Sequence, residues 1–386
     1  MKVALQADQL WFTAPGGIGT YVRELAPALA TEDPSLRLHL LRCRFAAGGP
    51  APSWLAPFEV DEVPGPVRTL YPRWALLGRP RLPASFDRFD LVHATNPAGV
   101  PPVRRGQSLV VTVHDLAFER FPERFPRAWR LLYRAGMRAA ARRADAILVP
   151  SNATAEDLRA LTSVDPAKVH VTPLAASLAN AASDPGTRLE RLGVPRPYVL
   201  FVGTLEPRKN VVTLVRAYRQ VAPDVPHALV LTGPDGWFAQ EMDRELARPG
   251  PGTVVRTGRV DAADLDALYR GADAFAYPSA YEGFGLPVLE ALARGVPTIA
   301  SDIPALREVA GDAALLVEPG DVAELAEARA RVLTDAALAQ DLRARGPARA
   351  TGYSWAATAR ATLQAYRHVT GSAPVGDGTG PQTGAA

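Results

Sequence analysis

Short apolar runs alternate with longer helical patterns along most of the chain, and this alternation constrains the fold more than any other feature. Short apolar runs without strict alternation are typical of parallel strands buried on both faces. The helical stretches between them suit right-handed crossovers. The predicted strands are Val3–Ala7, Leu36–Arg42, Leu91–Ala94, Leu109–Val113, Ala146–Pro150 and Val169–Pro173 in the first half, and Tyr198–Val202, Ala228–Thr232, Val254–Thr257, Ala274–Tyr277, Thr298–Ala300 and Ala314–Val317 in the second.

The pattern occurs twice, and a segment from Ala175 to Pro197, rich in small and polar residues and prolines, separates the two series. Such a composition is typical of a linker. The chain has 386 residues, enough for two domains with a core each. We therefore predict an α/β protein with two Rossmann-like domains facing a cleft, at residues 1–180 and 198–352, and a linker at 181–197. Residues 371–386 are rich in Gly, Pro and Thr, which predicts a disordered tail.

Charge balance and cysteine content argue against several classes of protein. Lys and Arg exceed Asp and Glu by 43 − 40 = 3, a surplus too small to indicate a nucleic-acid partner. Cys43 is the single cysteine, which excludes an internal disulfide and a cysteine-based zinc site. The first residues do not resemble a signal peptide, and no run approaches the roughly 18 apolar residues of a membrane span. We expect a soluble, cytoplasmic protein.

The strongest motif runs from Glu282 to Glu290, directly after the strand that ends near Tyr277. Its two glycines allow a tight turn, and the residues that follow have helical spacing. The N–H groups near Gly285 and Leu286 would then lie at a helix N-terminus, where phosphate binds readily. The two carboxylates are suited to hold paired hydroxyls, one set on a sugar and the other on a ribose. An ordinary capped helix with two surface glutamates is the alternative.

A second loop, Gly203–Asn210, follows the strand Tyr198–Val202 and carries two adjacent cations. Arg208 offers a planar fork to phosphate oxygens, and Lys209 offers a compact charge. Taken alone, a pair of adjacent cations is more often solvent-exposed and binds no ligand. Its position at the carboxyl end of a strand instead directs both side chains toward the same cleft as the glutamate motif.

Two features of the first half also point to a ligand. Gly16 and Gly17 follow the first strand, where glycine permits a close approach of backbone and ligand. The partial dinucleotide-binding pattern is weak because Val22 occupies the third glycine position, so hydride transfer is disfavoured. His114 ends another strand and can donate to an oxygen or carry a proton, although a satisfied buried histidine is an equal alternative. His93 is a weaker candidate near an acceptor.

Arginines recur every three or four residues between Arg127 and Arg142, so they form one stripe on a helix. A solvated helix face is the favoured interpretation, and an anionic membrane surface or a diphosphate is the alternative partner. Asp264 and Asp266 have the Asp-x-Asp form used by metal-dependent sugar transferases. Because they begin a helical pattern, where acids favour the helix dipole, we interpret them as capping residues and predict no metal site.

Together these motifs resemble the family 4 glycosyltransferases, which have the two-domain GT-B fold. The similarity covers about residues 1–370. The spacing from Glu282 to Glu290 matches the family's Glu-x7-Glu element, and the loop at 203–210 is similar to the phosphate loop of its mannosyltransferase-like branches. Thr204 is a departure, because many members have arginine at that position.

The resemblance implies a role for each motif residue. Glu290 would bind the ribose of the donor, and Glu282 would bind hydroxyls of the donor sugar and act in catalysis. Arg208 and Lys209 would neutralise the diphosphate. His114 would be a catalytic contact near the reacting carbon, and Val260 would lie at the base. The other implied donor contacts are Phe284 in the donor-binding turn and, at the diphosphate, Gly16, Gly17, Gly285 and Leu286. A helix at 353–370 would cross back onto the first, acceptor-side domain.

The resemblance also implies a retaining hexosyltransferase that needs neither a metal nor another cofactor. Fixed cations and helix-end amides stabilise charge on the leaving diphosphate, usually the largest catalytic contribution. We expect mannose from GDP-mannose and a glycan or lipid-linked acceptor. A peripheral contact of the Arg127–Arg142 helix with the inner face of an anionic membrane would suit the latter. A UDP-sugar donor, a nucleotide-sugar epimerase and a non-catalytic sugar-nucleotide-binding protein are the alternatives.

Overall fold

The computed structural model describes residues 1–12, 15–44, 53–178, 184–237 and 240–371. Their strands form two parallel sheets, in agreement with the predicted α/β class. The strands are β1 (Lys2–Gln6), β2 (Arg37–Arg44), β3 (Glu59–Pro66), β4 (Leu91–Ala94), β5 (Ser108–Thr112), β6 (Ala146–Val149), β7 (Val169–Val171), β8 (Tyr198–Val202), β9 (Ala228–Thr232), β10 (Val254–Gly258), β11 (Ala274–Tyr277), β12 (Thr298–Ser301) and β13 (Ala314–Val317).

The helices connect these strands and cover both faces of the sheets. They are α1 (Gly16–Glu32), α2 (Val67–Leu77), α3 (Ala117–Arg120), α4 (Arg127–Arg143), α5 (Asn152–Leu161), α6 (Pro185–Arg191), α7 (Val211–Val221), α8 (Gln240–Ala247), α9 (Ala262–Gly271), α10 (Leu286–Ala293), α11 (Pro304–Ala310), α12 (Val322–Thr334), α13 (Ala336–Ala350) and α14 (Trp355–Thr370). None of the helices in the described ranges has both the length and the apolar character that crossing a bilayer requires.

The first sheet has the strand order β3-β2-β1-β4-β5-β6-β7, and the second has the order β10-β9-β8-β11-β12-β13. In both sheets the chain therefore adds its first strands on one side of the starting strand, β1 or β8, and then continues on the other side. In open parallel sheets, ligands bind at the carboxyl ends of the strands next to such a reversal. The loops after β1, β4, β8 and β11 lie next to these reversals, and the loop after β5 lies beside that of β4, so a site is expected among these loops.

Alternate residues of the first sheet enter cores on its two faces. On one face, Leu5 and Leu148 pack with residues of α1 and α14. On the other face, Val92 and Ile147 pack with residues of α2, α4 and α5. The central strands are buried on both faces, which explains why they are apolar runs rather than alternating ones.

One strand was missed from the sequence. β3 (Glu59–Pro66) forms the edge of the first sheet, and most of its residues are partly or fully exposed. Val63 is the one residue of this strand that is buried. Acidic residues and prolines are tolerated at an edge because one side of the strand needs no hydrogen-bond partners, so the strand lacks the apolar pattern of its neighbours.

The predicted linker at 181–197 contains a helix in its described part. Asp184 caps α6, and Pro185 occupies its first turn. The helix packs against α9, where Arg188 donates to Asp264 at 2.7 Å. Residues 181–183, and the predicted tail from residue 372 onward, lie outside the described residues.

The last helix, α14, packs on the first domain although it follows the second in sequence. Arg360 pairs with Glu32 at 3.0 Å, and Arg367 pairs with Asp33 at 2.9 Å. The buried Tyr366 hydroxyl lies 2.6 Å from Nδ1 of His93. These contacts tie the two ends of the described chain to one domain.

Candidate functional site

A cleft of about 910 Å³ lies between the carboxyl ends of the two sheets. Its volume suits a small-molecule ligand, for which pockets of roughly 300–1,000 Å³ are usual. Both domains line it. The residues to which the resemblance gives a donor-binding or catalytic role all line this cleft, namely Gly16, Gly17, His114, Arg208, Lys209, Val260, Glu282, Phe284, Gly285, Leu286 and Glu290.

The turn between β11 and α10 brings the glutamate motif to the cleft. Gly285 has φ of 105°, a conformation that favours glycine, and it precedes the first turn of α10. Pro287 occupies that turn, where no N–H partner is required. The free amides at the start of the helix therefore face the cleft beside Leu286. This geometry can bind an anion.

Four charged side chains form a compact cluster below this turn. Glu282 accepts from Lys209 at 2.6 Å and from Arg208 at 3.1 Å. The other end of the Arg208 guanidinium donates to Glu206 at 2.7 Å. Lys209 also donates to the Tyr277 hydroxyl at 2.6 Å. Two cations are thus balanced by two carboxylates in a mostly buried position.

The cluster determines the charge of Glu282. Burial acts to raise the pKa of this carboxyl, but the charges of Lys209 and Arg208 outweigh it and lower the pKa to about 2. Glu282 is therefore ionised at neutral pH. A ligand that carries negative charge into the cleft would compete with Glu282 for the same two cations.

Glu206 and Tyr277 were not predicted from the sequence, although they accept hydrogen bonds from Arg208 and Lys209, the two cations of the loop at 203–210. Glu206 lies two residues before Arg208, so the alternation of acid and base within one loop was a signal that was available. Tyr277 ends β11 and gave no signal, because a buried tyrosine in a strand is common. Asp115, which lines the cleft next to His114, was also not assigned a role.

Glu290 lies in α10, about one helical turn after Leu286. Burial raises the pKa of its carboxyl, against the opposing effects of Arg294 and a hydrogen bond from Tyr269. The Tyr269 hydroxyl donates to it at 3.0 Å. The first domain contributes Arg23, which lines the cleft as well. The carboxylate is thus in place to accept from hydroxyls of a ligand.

His114 follows β5 and is held by the backbone. Its Nε2 lies 3.1 Å from the Thr95 carbonyl, which can only accept, so Nε2 carries the proton and Nδ1 has a free lone pair. Burial lowers the pKa of His114 to about 4, against the effect of Asp115, so the ring is neutral at neutral pH. The ring of Tyr21 packs edge-on against it at 4.9 Å.

The interpretation of His93 as a residue near an acceptor is wrong. Its ring is fully buried between the hydroxyls of Tyr366, at 2.6 Å, and Thr112, at 2.7 Å. Thr112 in turn lies 3.1 Å from the hydroxyl of Tyr21, the ring that packs on His114. His93 therefore belongs to a buried hydrogen-bond chain that leads from α14 toward the cleft.

The two domains contact each other at the edge of the cleft. Ser151 and Thr154 of the first domain both donate to the carbonyl of Gly283, at 2.5 and 3.0 Å. A side chain on Gly283 would collide with the His114 carbonyl, since an added Cβ would lie 1.8 Å from it. Trp237 of the second domain donates to the Arg124 carbonyl at 2.6 Å. These contacts hold the glutamate turn against the histidine.

The residues considered for a metal are otherwise engaged. Asp264 accepts from Arg188 at 2.7 Å, and Asp266 accepts from Arg294 at 2.8 Å. The residue that caps α9 is Asp261, whose side chain accepts from the amide of Asp264. Within the described ranges, no group of three or more His, Cys, Asp or Glu side chains is arranged to hold a metal ion.

The arginine stripe lies on α4 as predicted, but its members have different surroundings. Arg134 forms a two-pronged pair with Glu119, and Arg130 donates to the Pro122 carbonyl at 3.3 Å. Arg138 and Arg142 are exposed. The stripe is thus not one uniform surface.

Two family models match the chain. The model described as Glycosyltransferase Family 4 matches residues 15–180, and the one described as Glycosyl transferases group 1 matches residues 190–349. The first match includes β2 to β7 and the second includes β8 to β13, and all four charged residues of the cleft cluster lie in the second.

Curated relatives are glycosyltransferases. The O-antigen chain mannosyltransferase B of Escherichia coli is 32% identical over 271 residues, which cover 68% of this chain and 71% of that protein. The D-inositol 3-phosphate glycosyltransferase of Kineococcus radiotolerans is 36% identical over 248 residues, 58% of this chain and 57% of that protein. The serotype-specific mannosyltransferase WbdA of Escherichia coli is 29% identical over 234 residues, 58% of this chain but 29% of its own length.

Solved structures share the two-domain architecture. Sucrose-phosphate synthase from Thermosynechococcus elongatus has a TM-score of 0.74 at 22% identity, and the match covers 97% of this chain and 100% of that chain. Anabaena HepE, solved in complex with UDP-glucose, has a TM-score of 0.73 at 20% identity, covering 96% of this chain and 100% of its own. At such identities the likeness shows the fold alone, which is GT-B.

The family assignment removes the epimerase and the non-catalytic binding protein as interpretations, since the matching family models and the curated relatives are those of glycosyltransferases. Fold, cleft and relatives agree. The chain belongs to glycosyltransferase family 4 and is a hexosyltransferase with the GT-B fold.

Proposed function

We propose that this enzyme transfers mannose from GDP-mannose to a glycan or lipid-linked acceptor, with retention of anomeric configuration and without a metal ion. The observation that carries the proposal is the cluster of Lys209, Arg208 and Glu282 beside the start of α10. Relatives named as mannosyltransferases, among them one that is 32% identical, support the choice of sugar.

The cluster supplies what the cleavage of a nucleotide-sugar bond requires. Negative charge builds on the leaving diphosphate, and fixed charges and dipoles that face it lower the barrier. Lys209 and Arg208 are these fixed charges, and the amides near Gly285 and Leu286 add the helix-end dipole. When the diphosphate binds Lys209, Glu282 is released in part and accepts from the sugar hydroxyls.

Metal independence follows from the same charges. In metal-dependent transferases a divalent cation neutralises the diphosphate, a role that Lys209 and Arg208 fill here. The carboxylates of Asp264 and Asp266, the pair with the Asp-x-Asp spacing, are held by arginines. We therefore expect full activity in excess EDTA.

Retention is proposed to proceed by attack on the face from which the diphosphate leaves, with the leaving phosphate accepting the proton of the acceptor hydroxyl. The neutral His114 would accept a hydrogen bond from the donor sugar through Nδ1 rather than act as an acid. A route through a covalent sugar–enzyme intermediate would need a carboxylate beside the reacting carbon. Asp115, whose Oδ1 accepts from the amide of Ala117, is the carboxylate next to His114. We expect near-normal turnover of an Asp115→Asn variant, which would argue against that route.

A UDP-sugar donor is the second candidate. The observation in its favour is that Anabaena HepE, which shares the fold, was solved with UDP and with UDP-glucose. Its identity of 20% carries no information about the base. Val260, in the loop after β10, lines the end of the cleft at which the base would lie.

A thermal-shift screen of GDP, UDP and ADP, each alone and as its common sugar conjugates, separates these candidates. A ligand present at 100 times its Kd stabilises the protein by about 2.7 kcal/mol, a shift that is easily measured. We expect the largest shift with GDP-mannose, and the same shift in the presence of EDTA. A larger shift with UDP-glucose than with GDP-mannose would replace the proposed donor.

A further inference from the structure

The residues on either side of Glu282 are both bound by the first domain, through one face of α5. Thr154 donates to the carbonyl of Gly283 at 3.0 Å. Asp157, three residues later, accepts from the hydroxyl of Tyr281 at 2.7 Å. Side chains three residues apart lie on the same face of a helix. The helix α5 therefore contacts the turn before α10 at two points, and Glu282 lies between them.

The Tyr281 hydroxyl has a second partner in the first domain. The amide of Leu116 donates to it at 3.0 Å. Leu116 lies two residues after His114, in the segment that follows β5. A tyrosine hydroxyl can donate one hydrogen bond and accept others, so it binds the amide and a carboxylate at the same time. One hydroxyl group thus connects the segment that carries His114 with the turn that carries Glu282.

The backbone around Tyr281 is bound to the loop at 203–210 of its own domain. Nη1 of Arg208 donates to the Tyr281 carbonyl at 2.8 Å. The amide of Ala280 donates to the Arg208 carbonyl at 2.9 Å. Tyr281 is therefore fixed to the second domain by its backbone and to the first domain by its side chain.

The surroundings of the hydroxyl favour these two bonds. Asp157 is 8% exposed, and its other carboxylate oxygen accepts from Nε of Arg120 at 3.0 Å. Burial raises the pKa of Tyr281, so its hydroxyl keeps the proton that it donates. The Tyr281 ring packs against Phe121 with the ring centres 5.9 Å apart, a contact that does not involve the hydroxyl. The hydroxyl is thus used for the two bonds between the domains.

We propose that Tyr281 and Asp157 are positioning residues of the sugar-transfer reaction, and that they fix His114 of the first domain relative to Glu282 of the second. Tyr281 acts through its neighbours, because its hydroxyl is engaged by protein groups on both sides. A misplacement of about 1 Å can lower the rate of an enzyme about 100-fold. The proposal rests on the proposed function for the roles of His114 and Glu282 at the donor sugar.

Tyr281→Phe removes the hydroxyl and keeps the ring. With GDP-mannose as the probe and water as the acceptor, we expect kcat to fall about tenfold or more. The donor KM should stay within about twofold, because the variant keeps the backbone contacts of Tyr281 with the loop of Arg208 and Lys209. The melting temperature should change little, since neither hydrophobic core includes Tyr281. A near-normal kcat, or a loss that appears only in KM, would overturn the proposal.

Two control variants separate positioning from stability and from domain contact in general. Tyr198→Phe removes a buried hydroxyl that donates to the Leu268 carbonyl at 2.7 Å within the second domain, so it should lower the melting temperature and leave kcat unchanged. Glu308→Ala removes contacts between the domains, in which Glu308 accepts from the amides of Asn152 and Ala153 at 3.1 and 3.2 Å. It should keep kcat within about twofold. A loss of kcat as large as that of Tyr281→Phe in either control would overturn the proposal.

A double-mutant cycle tests whether Asp157 acts through Tyr281. Asp157→Asn removes the carboxylate that accepts the Tyr281 proton, and we expect kcat to fall about fivefold or more. Because both residues belong to one network, the double variant Asp157→Asn/Tyr281→Phe should be no slower than Tyr281→Phe alone. Losses that multiply in the double variant would overturn the role of Asp157.

Hydrogen exchange of the Leu116 amide tests the contact without any donor. The amide should be protected in the wild type and in Tyr198→Phe, and it should exchange about tenfold faster in Tyr281→Phe. Equal exchange in the wild type and in Tyr281→Phe would overturn the proposal. A protected amide in a wild type that does not turn over GDP-mannose would refute the proposed donor and support the contact of Tyr281.

Discussion

Lys209 is a buried cation whose charge is balanced by Glu282 at 2.6 Å. A buried ion pair of this kind contributes little net stability, because desolvation offsets the attraction between the charges. Its position on the wall of the cleft therefore points to a use in binding. A diphosphate can take the place of Glu282, since both present oxygens to the same ammonium group.

Replacement of Lys209 tests this use. Lys209→Ala is expected to lower turnover by about 100-fold or more, the usual effect of removing a group that faces charge in the transition state. Because Arg208 still accompanies Glu282, the loss of stability should stay below the roughly 3–5 kcal/mol that breaking a buried pair costs. Steady-state kinetics and a melting curve measure the two effects.

Lys209→Gln is the matched control, since it keeps a donor for Glu282 without the charge. It should melt close to the wild type and be as slow as the alanine variant. Near-normal turnover of either variant would remove Lys209 from the site.

Gly17 allows a test of close approach between backbone and donor. An added Cβ at this position meets no atom within 4 Å, so Gly17→Ala should leave the melting temperature unchanged. If the diphosphate approaches the backbone there, the extra methyl group should raise the donor KM about tenfold or more. An unchanged KM would mean that the donor does not reach this loop.

Single residues of the site differ in how far the sequence predicts them. Glu282, Lys209 and Gly285 are marked by spacing and by residue type at the end of a strand. Tyr277 is not, because its contact with Lys209 joins two positions that are distant in sequence. His93 shows the opposite error, since a histidine at a strand end can point into the core as well as into the cleft.

At the scale of elements, the turn before α10 joins the two domains through Gly283. Gly283→Ala is expected to abolish activity, since its methyl group would displace backbone of the first domain, the His114 carbonyl. Both sheets should still fold, because neither core includes this residue. Circular dichroism and an activity assay measure the two outcomes; an active Gly283→Ala enzyme would mean that this contact is absent in solution.

A hydrogen-bond chain from Tyr366 to Tyr21 connects the helix α14 with the ring that packs on His114. Tyr366→Phe keeps the ring and removes the bond to His93, so we expect turnover to fall by roughly fivefold, which corresponds to a coupling of about 1 kcal/mol. The same substitution in a His114→Ala background should have no further effect, because the chain acts through the position of His114. An equal loss of turnover in both backgrounds would show that Tyr366 serves stability alone.

Elements buried on both faces are the ones that the sequence predicts well. The strands Leu91–Ala94 and Tyr198–Val202 have the predicted bounds. A short run that is apolar at nearly every position is typical of a parallel strand buried on both faces. The edge strand β3 and the helix α6 were missed. Both lie where the environment is half polar, so tertiary contacts decide their conformation more than the local sequence does.

At the scale of the whole molecule, two similar domains produce one site because their strand ends meet. The sequence predicts which strands end in polar or glycine-rich loops, and a parallel sheet brings those loops to one edge. It does not predict which loops of the two domains touch, since the contacts of Gly283 and Trp237 with the first domain are between residues more than 100 positions apart.

The central claim is retaining, metal-independent transfer from GDP-mannose, and proton NMR of the first product tests it most directly. The enzyme is incubated with GDP-mannose in excess EDTA, and the anomeric signal of released mannose is followed from the first minutes. The account predicts that the α-anomer appears first and at the same rate with and without EDTA. Release of the β-anomer first, or activity only after a divalent metal is restored, would contradict it.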